Sequence, residues 1–398
     1  MANYFMPADI LLPANCDMEC WAVIACDQFT SDKAYWERVR QRTEGVPSTM
    51  HMILPEAELS DADDARFSRI HSTMREYLDA DIFHVYPASY VYVERTLKNG
   101  AIRQGIVGML DLEYYDYDPA THPMICATED TVLSRVPPRV AIRKNAELEF
   151  PHVLLLCEDE KQRLIEQVAS IKQELPMLYD FELMEGGGRI RGWLLHGDAA
   201  KRFDEALLSY EMCNVYMVGD GNHSLVTAKK CYERLKTNGL DVELHPARYA
   251  LVELENIHSP AMVFEPIHRV ITETNPAELL KDIQSICSAD GVYVPWFAGN
   301  NQGALHISVP EGKLLVGVLQ DFLDAWLAEH PGQLDYVHDT EAATTFTKEQ
   351  GAIAFLLPAM PKNTLFPFVQ GGRTLPRKAF SMGHGSEKRY YLEGRKIK

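Results

Sequence analysis

The sequence predicts a mixed α/β fold, and three observations predict it. Strand-like and helix-like segments alternate along all 398 residues, as in α/β and α+β architectures. Hydrophobic residues make up 46% and charged residues 24%, the balance of a globular protein. A chain this long buries most of its apolar surface without disulfides or structural metals.

The individual elements follow from periodicity. Residues 90–96 alternate as a strand, and Lys98-Asn99-Gly100 leads into a second strand over 102–112, Asn-Gly being a strong hairpin signal. Further strands are expected at 152–156, 190–195, 215–218, 249–255, 304–309 and 353–357. The helix over 63–81 lines up Phe67, Ile70, Met74, Tyr77 and Leu78, and one over 159–175 lines up Leu164, Ile165, Val168, Ile171 and Leu175. Other helices are expected over 199–212, 224–236, 276–287 and 315–328. Gly186-Gly187-Gly188 reads as a hairpin opening. The Pro137-Pro138 turn and the polar stretch after it suggest a division into 1–140 and 141–398, with one compact unit as the alternative.

Charge narrows the partners. Lys plus Arg is 39 against 57 Asp plus Glu, a net charge of −18. Such a surface repels nucleic acid and anionic membranes, and no basic run overrides it. An anionic small molecule would need a local cluster of cations and N–H groups. No apolar stretch approaches the ~20 residues that span a bilayer. Residues 1–9 lack a basic region followed by an apolar core, so the cytoplasm is the expected location. The 8 cysteines form no Cys-x-x-Cys pair, which fits reduced thiols. The stretch from Arg373 to Lys398 is basic against an acidic whole. It reads as a homodimer contact, a lid or a solvated terminus.

Chemistry concentrates at Gly219-Asp220-Gly221-Asn222-His223-Ser224. An apolar strand precedes this turn and a helix follows it. Two glycines let the backbone turn sharply and approach a ligand. The first N–H groups of the helix lack partners inside it, and the dipole is positive there, so the turn suits a phosphate. Asp220 is a candidate Mg²⁺ ligand or proton acceptor, and His223 a candidate donor or acid/base. Ser224 caps the helix or binds a phosphate oxygen. Gly-Asp-Gly-Asn is also ordinary loop chemistry. The functional reading rests on polar groups crowding the C-terminal end of a buried strand, where ligands bind in open α/β sheets. No P-loop, zinc-protease motif or nucleophile elbow competes.

Three further clusters are candidates. Thr128-Glu129-Asp130-Thr131, followed by Arg135, Arg139, Arg143 and Lys144, combines acid, hydroxyl and guanidinium groups, though it also fits a solvated loop. His268-Arg269 and Lys362 are the others.

The landmarks Ala25-Cys26-Asp27-Gln28-Phe29, Thr128-Glu129-Asp130-Thr131, Pro138-Arg139-Val140, the 218–224 turn, residues 246–253, Glu265-Pro266-Ile267-His268-Arg269 and Leu375-Pro376-Arg377-Lys378 occur in one order. On these residues the chain resembles, nearly end to end, the bacterial and archaeal proteins grouped as domain of unknown function 1015. Many relatives carry Asp-Gly-His-His-Arg at the central turn, similar to the Asp-Gly-x-His-Arg turn of the ParB-like/sulfiredoxin-like superfamily. That superfamily includes CTP switches, sulfiredoxin and free serine kinases. Asp220, Gly221 and His223 match, whereas Ser224 stands where the arginine would be.

The resemblance implies a ParB/sulfiredoxin-like core with large insertions. It implies a kinase-type phosphotransferase acting on a small hydroxylated metabolite, with free L-serine the leading candidate and a nucleotide (ATP or ADP) or pyrophosphate as donor. Gly219, Gly221, Asn222 and Ser224 would bind phosphates together with Thr131, Arg135, Arg143, His268, Arg269 and Lys362. Asp220 would hold Mg²⁺, Glu129 would accept the hydroxyl proton, and His223 would stabilise the transferring group. The missing guanidinium would come from Arg135, Arg143 or Arg269. The alternatives are a nucleotide-binding regulatory protein without turnover and a phosphate-ester hydrolase.

Overall fold

Asn99-Gly100 closes the hairpin at the centre of the largest sheet: Gly100 has φ 82° and Leu97 N donates to the Ala101 carbonyl at 2.8 Å. The computed structural model describes residues 3–30, 32–130, 136–150, 153–348, 350–376 and 378–398. It forms two units, one of residues up to Met262 together with His384–Lys398, the other Val263–Gly383.

In the first unit the strands are β1 (Ala8–Pro13), β2 (Phe83–Thr96), β3 (Ile102–Asp111), β4 (Ile125–Cys126), β5 (Leu154–Cys157), β6 (Met177–Leu183), β7 (Gly188–Leu195), β8 (Tyr216–Asp220) and β9 (Tyr249–Asn256). They form one mixed sheet in the order β6-β7-β2-β3-β9-β5-β8-β4, then Tyr115–Asp116, with Phe5–Met6 added to β3 and β1 to β2. The β9–β5 and β8–β4 pairs are parallel and β5–β8 is antiparallel. A division at residue 140 would cut through this sheet, because β2 and β3 pair with β7 and β9 from beyond it. Backbone hydrogen bonding between strands far apart in sequence therefore overrides the Pro137-Pro138 punctuation.

Alternation gives the sheet two apolar faces. Val91 and Val93 point into one core with Trp21, Trp36 and Leu251, while Tyr90 and Tyr92 point into the other with Phe203, Leu207 and Leu155. Helices α1 (Lys33–Thr43), α2 (Asp64–Asp79), α3 (Val136–Arg143), α4 (Gly197–Glu211) and α5 (Asn222–Thr237) accompany the sheet. Asp32 and Asp63 cap α1 and α2 through their side chains.

The expected helix over 159–175 is shorter, Ile165–Ser170. Asp159 Oδ2 takes the N–H groups of Arg163 and Leu164, and Gln162 has φ 54°, so the chain turns before it coils. The glycine run does open a hairpin, between β6 and β7. Among the described residues no helix is long and apolar enough to cross a membrane.

The end of the chain corrects the expectation of a solvated tail. Tyr390–Tyr391 pairs with Val23–Ile24, and Arg395–Lys396 pairs with Leu148–Glu149. Three of its positive charges are buried, and each of these meets an acid: Lys388 meets Asp220 at 3.1 Å, Arg389 meets Glu253 at 2.6 Å and Arg395 meets Glu149 at 2.5 Å. Burial alone would push the Glu149 carboxyl up, but Arg143 and Arg395 outweigh it and hold the carboxyl below its usual range.

The second unit is a five-stranded antiparallel sheet in the order β12-β11-β14-β10-β13, from β10 (His268–Thr272), β11 (Cys287–Ala298), β12 (Asn301–Ile307), β13 (Gln333–Val337) and β14 (Ile353–Phe355), with helix α6 (Leu315–Leu327). A mixed α/β fold is what the alternation of segments predicts.

Candidate functional site

The turn after β8 forms because Gly221 adopts φ 84°, ψ 22°, a left-handed conformation that glycine enters at little cost. Asp220 Oδ1 accepts from Gly221 N at 2.8 Å and fixes the bend. Helix α5 then starts at Asn222 with no side-chain cap. Adding a Cβ at Gly221 would bring it within 3.0 Å of Val153 Cα, whereas at Gly239, with φ 79°, a Cβ meets nothing within 4 Å. Gly221→Ala is therefore expected to cost about 2–3 kcal/mol and Gly239→Ala about 1 kcal/mol. Urea denaturation of both variants checks this; equal losses would remove the packing constraint on the turn.

The stretch carrying Glu129 comes to the same place. β4 runs parallel to β8, with Ile125 opposite Tyr216 and Cys126 opposite Met217. Thr128 and Glu129 therefore leave the sheet beside Val218-Gly219-Asp220. Thr128 Oγ1 donates to the Val218 carbonyl at 2.6 Å, and Thr128 N donates to Asn222 Oδ1 at 3.3 Å. Asn222 is buried, so its side chain fastens this strand end to the turn and does not face solvent. Glu129 and His223 are half-buried. Thr131 and Arg135 lie outside the described residues.

A cation that sequence reasoning did not place completes the cluster. Lys388 Nζ lies 3.1 Å from Asp220 Oδ2, and Lys388 is only 8% exposed. The segment holding it is fixed by Arg95, whose guanidinium donates to the carbonyls of Gly187, Ser386, Glu387 and Lys388 and lies over the Tyr390 ring. The basic composition of the terminus was the available signal; what it lacked was the acid that each charge would meet.

Sheet register connects the turn to a buried ionic cluster. Leu154 on β5 is paired with Asp220 on one side and with Glu253 on the other. Consecutive residues Lys388 and Arg389 cover these two acids. Further along β9, Glu255 faces Arg103 Nε at 3.0 Å, although neither of its oxygens has a well-aligned hydrogen bond. Burial pushes the Glu255 carboxyl up to about 7, against the pull of Arg103 and with the help of Glu253. The folded protein thus holds this proton between its ordinary value of 4.5 and about 7, where the unfolded chain releases it. The stability this gives is full below that window and is lost as pH rises through it. Relative to wild type, Glu255→Gln is expected to gain on the order of 1–3 kcal/mol between about pH 5 and pH 8. Thermal denaturation across that range tests it, and a pH-independent difference would contradict it.

The other expected ligands divide between the two units. Arg143, at the end of α3, lines the same cavity as Ser224 and pairs with Glu149. His268, Arg269 and Lys362 belong to the second unit. Leu357 N donates to His268 Nδ1 at 3.2 Å, which leaves Nε2 to donate to Thr340 Oγ1 at 3.0 Å. Burial lowers the pKa of this imidazole. Arg269 is fully buried; it donates to Gln320 Oε1 and to the carbonyls of Ile267 and Lys378, and stacks on Tyr336. These contacts make Arg269 an interior strut of its own unit. Lys362 is half-buried, and burial lowers its pKa.

Comparisons place the chain among known proteins. A family model described as protein of unknown function (DUF1015) matches residues 9–393. No curated protein matches the chain. Similar solved structures include a conserved hypothetical protein from Pyrococcus furiosus, with TM-score 0.35, 11% identity, and coverage of 73% of this chain and 94% of that one. A free serine kinase in complex with AMP has TM-score 0.39, 11% identity, and coverage of 71% and 90%. SbnI with a C-terminal truncation, from Staphylococcus aureus, has TM-score 0.38, 10% identity, and coverage of 70% and 82%.

Proposed function

This chain belongs to the DUF1015 family of proteins of unknown function, and from the chemistry of its turn we propose that it is a kinase-type phosphotransferase acting on a small hydroxylated metabolite. The observation that carries the reading is the Lys388–Asp220 pair beside the uncapped start of α5, a helix of 16 residues. In an acidic protein this combines the positive end of a long helix dipole with a buried ammonium group. Lys388 takes the role left open by Ser224.

In this reading the N–H groups at the start of α5 and Lys388 bind the terminal phosphates of a nucleotide or pyrophosphate. Glu129 accepts the proton of the acceptor hydroxyl as its oxygen bonds to phosphorus. The bond from phosphorus to the bridging oxygen breaks, and its electron pair leaves with the remaining phosphate or nucleotide. His223 stabilises charge on the group in flight. Asp220 positions Lys388 and the Gly221 amide.

The donor set does not fit a resident magnesium ion. Asp220 supplies the turn's carboxylate, and its two oxygens already meet Gly221 N and Lys388 Nζ. Among the described residues no group of three His, Cys, Asp or Glu side chains is arranged to hold a metal. Magnesium accordingly belongs to the donor and arrives with its phosphates.

Phosphorus NMR of the protein with ATP, ADP or pyrophosphate and a set of hydroxylated acceptors, L-serine first, tests this. A new phosphate-ester signal that requires both protein and acceptor is expected. Tight donor binding with no ester would favour a regulatory nucleotide-binding protein, and release of inorganic phosphate alone a hydrolase; either result would overturn the kinase assignment.

A further inference from the structure

Beside the first turn of α5 the first unit contains a cavity of about 160 Å³. An apolar void of about 150 Å³ stays dry and accepts a molecule the size of benzene. Met52, Leu54, Met74, Ile142, Leu148 and Leu251 supply much of this cavity's wall. Its polar side is narrow and includes Arg143, Ser224 and Thr227.

Arg143 gives that side a chemical preference. Its Nη1 meets Glu149 Oε2 at 2.5 Å, whereas its buried Nη2 has no hydrogen-bond partner. Glu149 is already engaged by other donors: Oε1 accepts from Arg395 Nε at 2.5 Å and from Leu251 N at 2.8 Å. A guanidinium on a cavity wall is matched best by a carboxylate. Ser224 belongs to the same first helical turn as His223 and follows directly on the Asp220 turn. A ligand that fills the cavity therefore meets Ser224 in the first turn of α5.

We infer that the cavity is the acceptor pocket, and that the acceptor is a small hydroxy acid with an apolar side chain of up to about benzene size: side chain in the cavity, carboxylate on Arg143, hydroxyl toward Asp220. This rests on the phosphotransferase reading for the hydroxyl's role, but the pocket itself stands on its lining. L-serine, with no apolar body, is then a poor fit.

Isothermal titration of the full chain with lactate, 2-hydroxybutyrate, 2-hydroxyisocaproate, 3-phenyllactate and L-serine tests it, with benzene and pyrophosphate titrated separately. Affinity is expected to rise about fourfold per methylene until the cavity is full, the equivalent of about 0.8 kcal/mol each. Ala228→Leu, which places extra volume in the wall, should abolish that rise, and Arg143→Gln should weaken every acid by about tenfold or more. Should Ala228→Leu fail to fold, competition in the wild-type protein decides: benzene should displace 2-hydroxyisocaproate. Affinity independent of chain length, or no displacement by benzene, would overturn the pocket. Pyrophosphate binding without hydroxy-acid binding also sinks the pocket and spares the phosphate site. Hydroxy-acid binding without pyrophosphate binding does the reverse.

Discussion

Asp220→Asn is expected to lower kcat/KM for phosphoryl transfer by roughly a hundredfold or more while the fold survives. The amide oxygen can still accept from Gly221 N, so the bend keeps its hydrogen bond. The amide cannot neutralise Lys388, whose Nζ now lies 3.1 Å from Oδ2. The ammonium swings away from the phosphate site, and donor affinity falls with it. The pair is partly screened, with side-chain exposures of 10% and 22%, so the stability cost should be only about 1–2 kcal/mol. Adding Lys388→Met removes the unpaired charge and should restore most of that stability but none of the activity. Melting temperature and donor Kd, measured on the same samples, separate the two effects. Activity that returns with stability in the double variant would reduce Asp220 to a shaper of the turn.

Arg389→Met should show the largest loss of stability in the chain. The guanidinium sits between Glu253 and Glu393, and all three are almost fully buried. Burial alone would lower the arginine's pKa, but Glu393 and Glu253 hold it above its ordinary value. Removing it leaves two buried carboxylates without their counter-charge, a change that costs about 3–5 kcal/mol. In a unit of this size that corresponds to a drop of about 10 °C in Tm. Lys201→Met, which breaks an exposed pair with Asp198, should change stability by less than about 0.5 kcal/mol. Equal effects at the two positions would mean that the C-terminal segment does not hold the sheet as described.

What was legible in the sequence was local. Asn99-Gly100 announced its hairpin because turn chemistry acts over two residues. Gly219 to Ser224 announced a strand-to-helix turn because the two periodicities change there. The length of the 159–175 helix was misread because apolar spacing carries no record of Asp159 taking the N–H groups of Arg163 and Leu164. The cation at the turn was sought among Arg135, Arg143 and Arg269 on the grounds that a guanidinium was needed, and need does not fix position. Arg269 is enclosed by Gln320, Ile267, Lys378 and Tyr336. Lys388 reaches Asp220 through strand pairing between Tyr390–Tyr391 and Val23–Ile24, a long-range contact with no short motif. Glu129 was legible as part of an acid, hydroxyl and guanidinium cluster, and the stretch that carries it comes beside the turn through the parallel pairing of Ile125–Cys126 with Tyr216–Met217.

In the proposed function Lys388 and the start of α5 together form an anion site. Its most direct test is the titration of pyrophosphate into wild-type protein and into Lys388→Met by calorimetry, at two salt concentrations. Saturable one-site binding to wild type is expected, weakened about tenfold or more in the variant, with a shallower salt dependence because one charge is gone. Equal affinity in the two proteins, or no binding to wild type at millimolar pyrophosphate, would contradict it.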